Sequence, residues 1–402
     1  MGGGRQGGRD GRADLSRRPE VDYSLLTEQA AFDSLLGTLK GEERIAVDTE
    51  FHRERTYFPK VALVQIAWPD GLALIDPLAV DLTPLAELLA SDTLWVMHAA
   101  GQDLEVFQRA CGTAPRRLFD TQLAAGFIGL SSPSLSALHE HQLGFHLSKG
   151  DRLTDWLARP LTASQLSYAA SDVAHLLEIH DLLVAELGDR GRLDWAATEC
   201  GEMLERERDR RQPEDAWHRI KEARHLRGGA RDVARSVAAW RERRAAEVDI
   251  PLRHVLSDLA VVAIAQRAPT TPEALKKVRG LDGRHFKGAV ADGILRAVAD
   301  VGDLPALPED EGRPTAARRD LRAAVTLVSA WVGQLARDLA IDPVLVGTRS
   351  DIEAMVRGDA DARMQTGWRH DLVGGPVDEL LSGRAALAFD GRGELILIPR
   401  RP

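Results

Sequence analysis

Apolar and polar positions alternate with two different periods along this chain, and the change of period divides it. Ile45 to Phe51, Ala62 to Trp68 and Leu72 to Ile75 are short apolar runs of strand length. The second and third are joined by Pro69-Asp70-Gly71, a hairpin turn signal, so a three-stranded meander is predicted after a short amphipathic helix over Glu28 to Leu39. From Leu82 the rhythm becomes helix and strand in alternation. Leu82 to Leu89 reads as helix, Leu94 to His98 as strand, Gln102 to Ala110 as helix and Leu118-Phe119 as strand. Such alternation adds parallel strands through crossovers and gives a mixed sheet with helices packed on it. Thr162-Ala-Ser-Gln165 has the form of a capping box, which predicts a long helix running to about Leu187 and a domain ending near residue 200.

Beyond that point the pattern is helical and arginine-rich. It is interrupted over 303–315, where Pro305, Pro308 and Pro314 with Glu309-Asp-Glu311 make a linker. The two flanking stretches echo each other: Trp240, Ile250-Pro251 and Ser257-Asp258 in the first line up with Trp331, Ile341-Asp-Pro343 and Ser350-Asp351 in the second. This suggests a duplicated helical module. The expected organisation is a tail over 1–20, an α/β domain over 21–205, a helical domain over 206–302, the linker, and a second helical domain over 316–402.

Composition narrows the class. With 402 residues, 44% hydrophobic and 28% charged, the chain has the make-up of an ordinary globular protein of two or three domains. A net charge of −9 excludes a wholly basic nucleic-acid coat protein. Charge is unevenly spread, however. Residues 206–244 hold 13 Lys and Arg against 7 Asp and Glu, and Arg206, Arg208, Arg210, Arg211, Arg241, Arg243 and Arg244 are candidates for phosphate contact. The competing reading is a solvated helical face, because Glu205, Glu207 and Asp209 are interleaved with them. Cys111 and Cys200 are too far apart for a zinc or redox motif, the glycine- and arginine-rich N-terminus lacks the apolar core of a signal peptide, and no run reaches the length of a membrane span. A cytoplasmic protein with no membrane partner is expected.

The candidate chemistry lies in the carboxylates. Asp48 and Glu50 are two apart on one predicted strand, so they share a face, and a cation between them relieves their repulsion. Asp103 opens the helix that follows a buried strand and a tight turn, at the carboxyl edge where α/β sheets place their sites. Tyr168 and Asp172 are four apart on the long helix and can act on one object. Four carboxylates and a tyrosine meet the needs of two-metal phosphodiester hydrolysis, with Asp48 bridging both ions, Glu50 and Asp172 completing one shell, and Asp103 holding the second ion. An all-oxygen set points to magnesium or manganese. Tyr168 is placed to orient the attacking water, and His98 is read as structural.

Val47-Asp-Thr-Glu50, His98-Ala-Ala-Gly-Gln-Asp103 and Tyr168-Ala-Ala-Ser-Asp172 resemble, in order and spacing, the three exonuclease motifs of the DEDD superfamily in its tyrosine subclass. Phe119-Asp-Thr-Gln122 and Asp155-Trp-Leu-Ala-Arg-Pro160 narrow the resemblance to the ribonuclease D family, and Ser236 to Asp258 is similar to the helicase and RNase D C-terminal (HRDC) domain. The resemblance implies a ribonuclease H-like mixed α/β exonuclease domain followed by all-α HRDC-type domains. It also implies a 3′→5′ exoribonuclease that uses two Mg2+ or Mn2+ ions and no nucleotide cofactor, with single-stranded RNA and precursor tRNA 3′ ends as its partners. Residues 316–402 depart from it, with 12 basic and 12 acidic residues and a strand-like Glu394 to Pro399. Two other readings remain at this level. The same motifs serve DNA exonucleases, and the other alternative is a non-enzymatic scaffold in which HRDC domains bind the nucleic acid.

Overall fold

A computed structural model of the chain describes residues 21–147, 154–208, 212–303 and 321–400, the side chains of residues 207, 208 and 303 excepted. The expected tail, nearly all of the expected linker, Arg210, Arg211 and the side chain of Arg208 lie outside the described residues.

The α/β unit is built on a six-stranded sheet in the order β1-β4-β3-β2-β5-β6. Its strands are β1 (Ser24–Leu26), β2 (Arg44–His52), β3 (Lys60–Trp68), β4 (Gly71–Ile75), β5 (Leu94–Met97) and β6 (Arg117–Asp120). The meander β2-β3-β4 is antiparallel, and β5 and β6 are added in parallel beside β2, as alternation of helix and strand requires. β1 pairs in parallel with β4 and was not anticipated, since three residues are too few to show a period.

Both faces of the sheet are covered. On one side α1 (Gln29–Leu39), α2 (Leu85–Leu89), α3 (Gly101–Cys111) and α8 (Leu193–Arg208) bury Phe32, Leu85, Phe107 and Trp95 against Ile45, Val47 and Val64. On the other lie α4 (Thr121–Gly126), α5 (Leu135–Leu143), α6 (Ala163–Val173) and α7 (Leu176–Asp189), over Ala46, Leu63 and Leu74. The capping box appears as predicted, with Thr162 Oγ1 accepting from Gln165 N and Gln165 Oε1 from Thr162 N. The long helix is nevertheless two. His175, at φ −115° and ψ 5°, leaves the helical region and redirects the chain from α6 to α7. Both helices bury their apolar residues, among them Ala169, Val173, Leu176, Leu183 and Leu187, in the same core.

The first helical unit has a core of its own, around Trp217, Val237, Ile264 and Ile294. Its elements include α9 (Gly228–Val248), α10 (Leu252–Val255), α11 (Asp258–Arg267), α12 (Pro272–Leu275) and α13 (Gly288–Ala299). It is tied to the α/β unit by Asp249, whose Oδ1 accepts from Tyr57 N and Phe58 N at 3.1 and 3.0 Å, and by Tyr57, whose hydroxyl donates to Glu242 at 2.7 Å.

The last unit behaves differently. Its helices α14 (Arg322–Asp338), α15 (Pro343–Val346) and α16 (Arg349–Arg357) repeat the order of α9, α10 and α11, in line with the sequence echo. Ser257 caps α11 whereas Thr348 caps α16, so the alignment of Ser257 with Ser350 is offset by two residues there. Their core is continuous with that of the α/β unit, where Trp368 stacks on Trp195 at 4.8 Å and meets Phe127 edge-on. Gly126 permits this approach, because a Cβ there would stand 2.6 Å from Leu345 Cδ1. The strand-like C-terminal run pairs as β7 (Ala385–Phe389) with β8 (Leu395–Pro399). Among the described residues no helix is long and apolar enough to cross a membrane.

Candidate active site

β2 carries the centre of the site. Ile45, Val47 and Thr49 are buried toward α3, while Ala46, Asp48 and Glu50 face α6. α6 lies across β2, β3 and β4 and lowers Asp172 toward the strand, so that one oxygen from each of Asp48, Glu50 and Asp172 falls within 4.8 Å of the others. Three carboxylates at that spacing offer hard anionic oxygens, which fit a divalent cation such as magnesium or manganese. When bound, such ions stabilise the negative charge that develops on the attacking and leaving oxygens of a phosphodiester.

Asp103 comes from the other side. It stands in the first turn of α3, 6% exposed, and accepts a hydrogen bond from Thr49 Oγ1. Its oxygens are not part of the three-carboxylate cluster, although it is close enough to feel the charge of Asp48.

The electrostatics of the ion-free site are unfavourable. Burial, and then the charge of Asp172, push the Asp48 carboxyl up to about 8, against a smaller opposing effect of the Thr49 backbone N–H. Burial and the charge of Asp48 likewise raise Asp103 well above the usual carboxylate range. Asp48, Glu50 and Asp172 would hold a divalent cation, whose positive charge would favour the ionised carboxylates.

Tyr168, one turn before Asp172, packs beside Trp156. Burial and then the neighbouring carboxylates hold its phenol protonated, and its hydroxyl bonds to Asp172. It is therefore a fixed donor rather than a phenolate base. Tyr168→Phe keeps the ring and deletes only this donor. The expected result is a roughly tenfold to thousandfold fall in turnover with Mn2+ affinity retained. Equal loss of metal affinity in Tyr168→Phe and Asp172→Ala would contradict that division of labour.

Two groups that hold the site in place entered the sequence reading only as members of the family-like segments Phe119 to Gln122 and Asp155 to Pro160, with no task assigned to them. Asp120, 1% exposed, accepts from the backbone N–H groups of Ala99, Ala100, Gln122 and Leu123 at 2.8 to 3.2 Å. It thereby caps α4 and pins the β5–α3 turn that delivers Asp103, a turn in which Ala99 adopts φ +57°. An Asp at a strand end before Thr-Gln is a capping signal, and the second half of its task is tertiary. Arg159 locks the 154–160 segment to the sheet by pairing with both oxygens of Asp76 and donating to the Ala62, Trp156 and Ala158 carbonyls. His98 is structural, as expected: its Nε2 reaches the Pro133 carbonyl at 3.2 Å and its Nδ1 the Thr121 hydroxyl at 3.0 Å.

The arginines divide. Arg241 is 3% exposed and spends its guanidinium on Asp258 and the Leu256 carbonyl, so its expected place on a phosphate-binding face is corrected: it pins α9 to the start of α11. Arg243 pairs with Glu214 and Arg244 with Glu247, both at the surface. Arg206 lines a groove of about 870 Å3 between the α/β unit and the first helical unit, together with Arg53, Tyr57, Arg219 and Gly101, two residues before Asp103.

Comparison with known proteins agrees with this geometry. A family model described as 3′-5′ exonuclease matches residues 23–188, and the HRDC domain model matches 230–298. Ribonuclease D of Gluconacetobacter diazotrophicus is 35% identical over 94% of this chain and 98% of its own length, and that of Zymomonas mobilis is 34% identical over 94% and 99%. The crystal structure of Escherichia coli RNase D, an exoribonuclease involved in structured RNA processing, is similar with a TM-score of 0.80 and 32% identity, over 90% of this chain and 99% of that one. The three motifs, the mixed sheet that joins two of them at one cluster, and the agreement over almost the full length of these relatives make the chain a member of the ribonuclease D family.

Proposed function

We infer that this chain is a metal-dependent 3′→5′ exoribonuclease that hydrolyses phosphodiester bonds from the 3′ end of RNA. The observation that carries the reading is the convergence of Asp48, Glu50 and Asp172 within 4.8 Å beneath Tyr168, in a chain of this family. In this reading Asp48 serves two ions, Glu50 and Asp172 complete the site of one, and Asp103 holds the other from its place at the head of α3. Mg2+ or Mn2+ fills both positions. Tyr168 orients the attacking water through a hydroxyl already fixed on Asp172.

The organisation that suits this activity is an exonuclease domain over 21–205, an HRDC domain over 206–302 and an HRDC-like unit over 316–402. The substrate is a structured RNA with a single-stranded 3′ end, precursor tRNA being the best fit, and the compartment is the cytoplasm. The groove lined by Arg53, Arg206 and Arg219 opens toward the head of α3 and suits an RNA backbone near the cleavage site. Arg243 and Arg244 serve at the periphery.

The test is incubation of purified protein with 3′-labelled single-stranded RNA and the matching DNA, with Mg2+, with Mn2+ and with a chelator. Mononucleotide release from RNA, dependent on the ion, is the expected result. Release from DNA alone would favour a DNA exonuclease, and RNA binding with no release from either would favour a scaffold.

A further inference from the structure

β3 is apolar along its length, Val61-Ala-Leu-Val64 before Gln65 and Ile66-Ala-Trp68 after it, so Gln65 interrupts a strand in which Leu or Met would satisfy the pattern. It is 0% exposed, and neither its Oε1 nor its Nε2 has a hydrogen-bond partner among the described residues. Buried side-chain amides are nearly always satisfied, because an unpaired one forfeits its bonds to water and receives nothing in exchange. The position of this one is informative. In the antiparallel register of β2 and β3, Gln65 stands directly opposite Asp48. Directly opposed residues project from the same face with Cβ atoms about 4.5 to 5.5 Å apart. Gln65 therefore lies under α6 beside the central carboxylate, with Leu74 opposite it on β4 and the small Ala169 and Ala170 among the buried residues of α6.

We propose that Gln65 is a positioning residue for Asp48. In the ion-loaded site its Nε2–H donates to the Asp48 oxygen on the β3 side and leaves the other oxygen turned to Glu50 and Asp172. The torsion about a carboxylate is soft, so a central ligand without a lateral donor can swing between orientations. A donor to a charged acceptor makes a shorter and stronger bond than a neutral pair, and carboxylates that hold metals are characteristically fixed by such partners. Rotation of side chains whose Cβ atoms are already neighbours is enough to form the bond, with no movement of the strands. The inference rests on the divalent-ion reading of the cluster and adds to it the group that orients its central ligand.

The decisive variant is Gln65→Met, which removes both polar ends at similar volume. The metal-free variant is expected to melt at the wild-type temperature or above it, because an unsatisfied buried amide is gone. Its affinity for Mn2+, followed by electron paramagnetic resonance, is expected to fall about tenfold, with a parallel rise in the Mg2+ concentration giving half-maximal turnover. A purely space-filling Gln65 would leave the Mn2+ isotherm unmoved, and that result, with wild-type binding intact, overturns the proposal while the ion site stands. Failure of the wild-type protein to bind Mn2+ in a manner abolished by Asp48→Asn would instead overturn the ion reading, and this inference with it. Should Gln65→Met not fold, a wild-type crystal structure with Ca2+ decides the question. An Nε2 to Asp48 distance of about 3.2 Å or less supports the role, and one beyond about 4 Å overturns it.

Discussion

Asp48→Asn is expected to lower turnover by at least about a thousandfold at saturating Mg2+, roughly 4 kcal/mol of transition-state stabilisation, while the protein stays folded. The argument is one of position and charge. Burial first and the charge of Asp172 second push the Asp48 carboxyl up to about 8, so it needs a cation nearby in order to ionise at neutral pH. Asparagine keeps the shape and removes the charge that would hold the ions. Retention of more than about a tenth of wild-type turnover, a loss under about 1.4 kcal/mol, would sink the metal-cluster mechanism. The same substitution separates catalysis from stability. The folded, ion-free protein binds the Asp48 proton more tightly than the unfolded chain does. The stability this group contributes is therefore full below the ordinary aspartate pKa of about 4 and declines as pH rises toward about 8. In a chelator at pH 8, Asp48→Asn should match or exceed the wild-type melting temperature, and this advantage should shrink as pH is lowered to 5.

Glu199→Gln is expected to destabilise the protein by about 3 to 5 kcal/mol at pH 7, with its effect centred on the contact between the α/β unit and residues 321–400. Glu199, 1% exposed on α8, receives Arg363 and the buried Arg369 and also accepts from Trp368 Nε1 at 3.2 Å. Neutralising it leaves two guanidinium groups facing an uncharged amide, one of them with a 3% exposed side chain. Burial alone would raise the Glu199 carboxyl, but the bonds and charges of Arg369 and Arg363 prevail and hold it below the usual glutamate range. A depressed carboxylate contributes stability above the unfolded value of about 4.3, and this is lost as pH falls through the folded value. Wild-type protein should therefore weaken at the C-terminal contact as pH falls below the ordinary glutamate range, with earlier protease cleavage in 321–400. Glu199→Gln should show that cleavage already at pH 7, with little further change from this contact on acidification. Wild-type calorimetry and protease resistance in Glu199→Gln would show that the three aromatic rings hold this interface without the ion pairs.

Asp48, Glu50, Tyr168 and Asp172 were legible in the sequence because each is fixed by local geometry. Two residues on a strand or four on a helix share a face whatever the rest of the chain does, and a turn after a buried strand marks the edge where Asp103 stands. The meander, the crossovers and the helical character of the C-terminal half were legible for the same reason, since period and turn chemistry act over a few residues, whereas the HRDC likeness came from resemblance. Where the structure differs, the deciding contact is distant in the chain. The break at His175 has no proline or glycine beside it, so no residue of the helix announces it. Arg241 is indistinguishable by type from Arg243 and Arg244 beside it, yet Asp258 and the Leu256 carbonyl turn it inward.

The sequence by itself determined which residues can carry the proposed chemistry, because carboxylates and a tyrosine at fixed spacing on strand and helix share a face whatever the rest of the chain does. Tertiary structure alone decided how that chemistry is held. Asp120 closes the turn before Asp103 from 20 residues away, Gln65 faces Asp48 only through strand pairing, and Glu199 joins the exonuclease core to helices more than 160 residues on. A hydrogen bond or an ion pair needs its two partners at a few ångströms, and for partners so far apart in the chain only the completed packing brings them there.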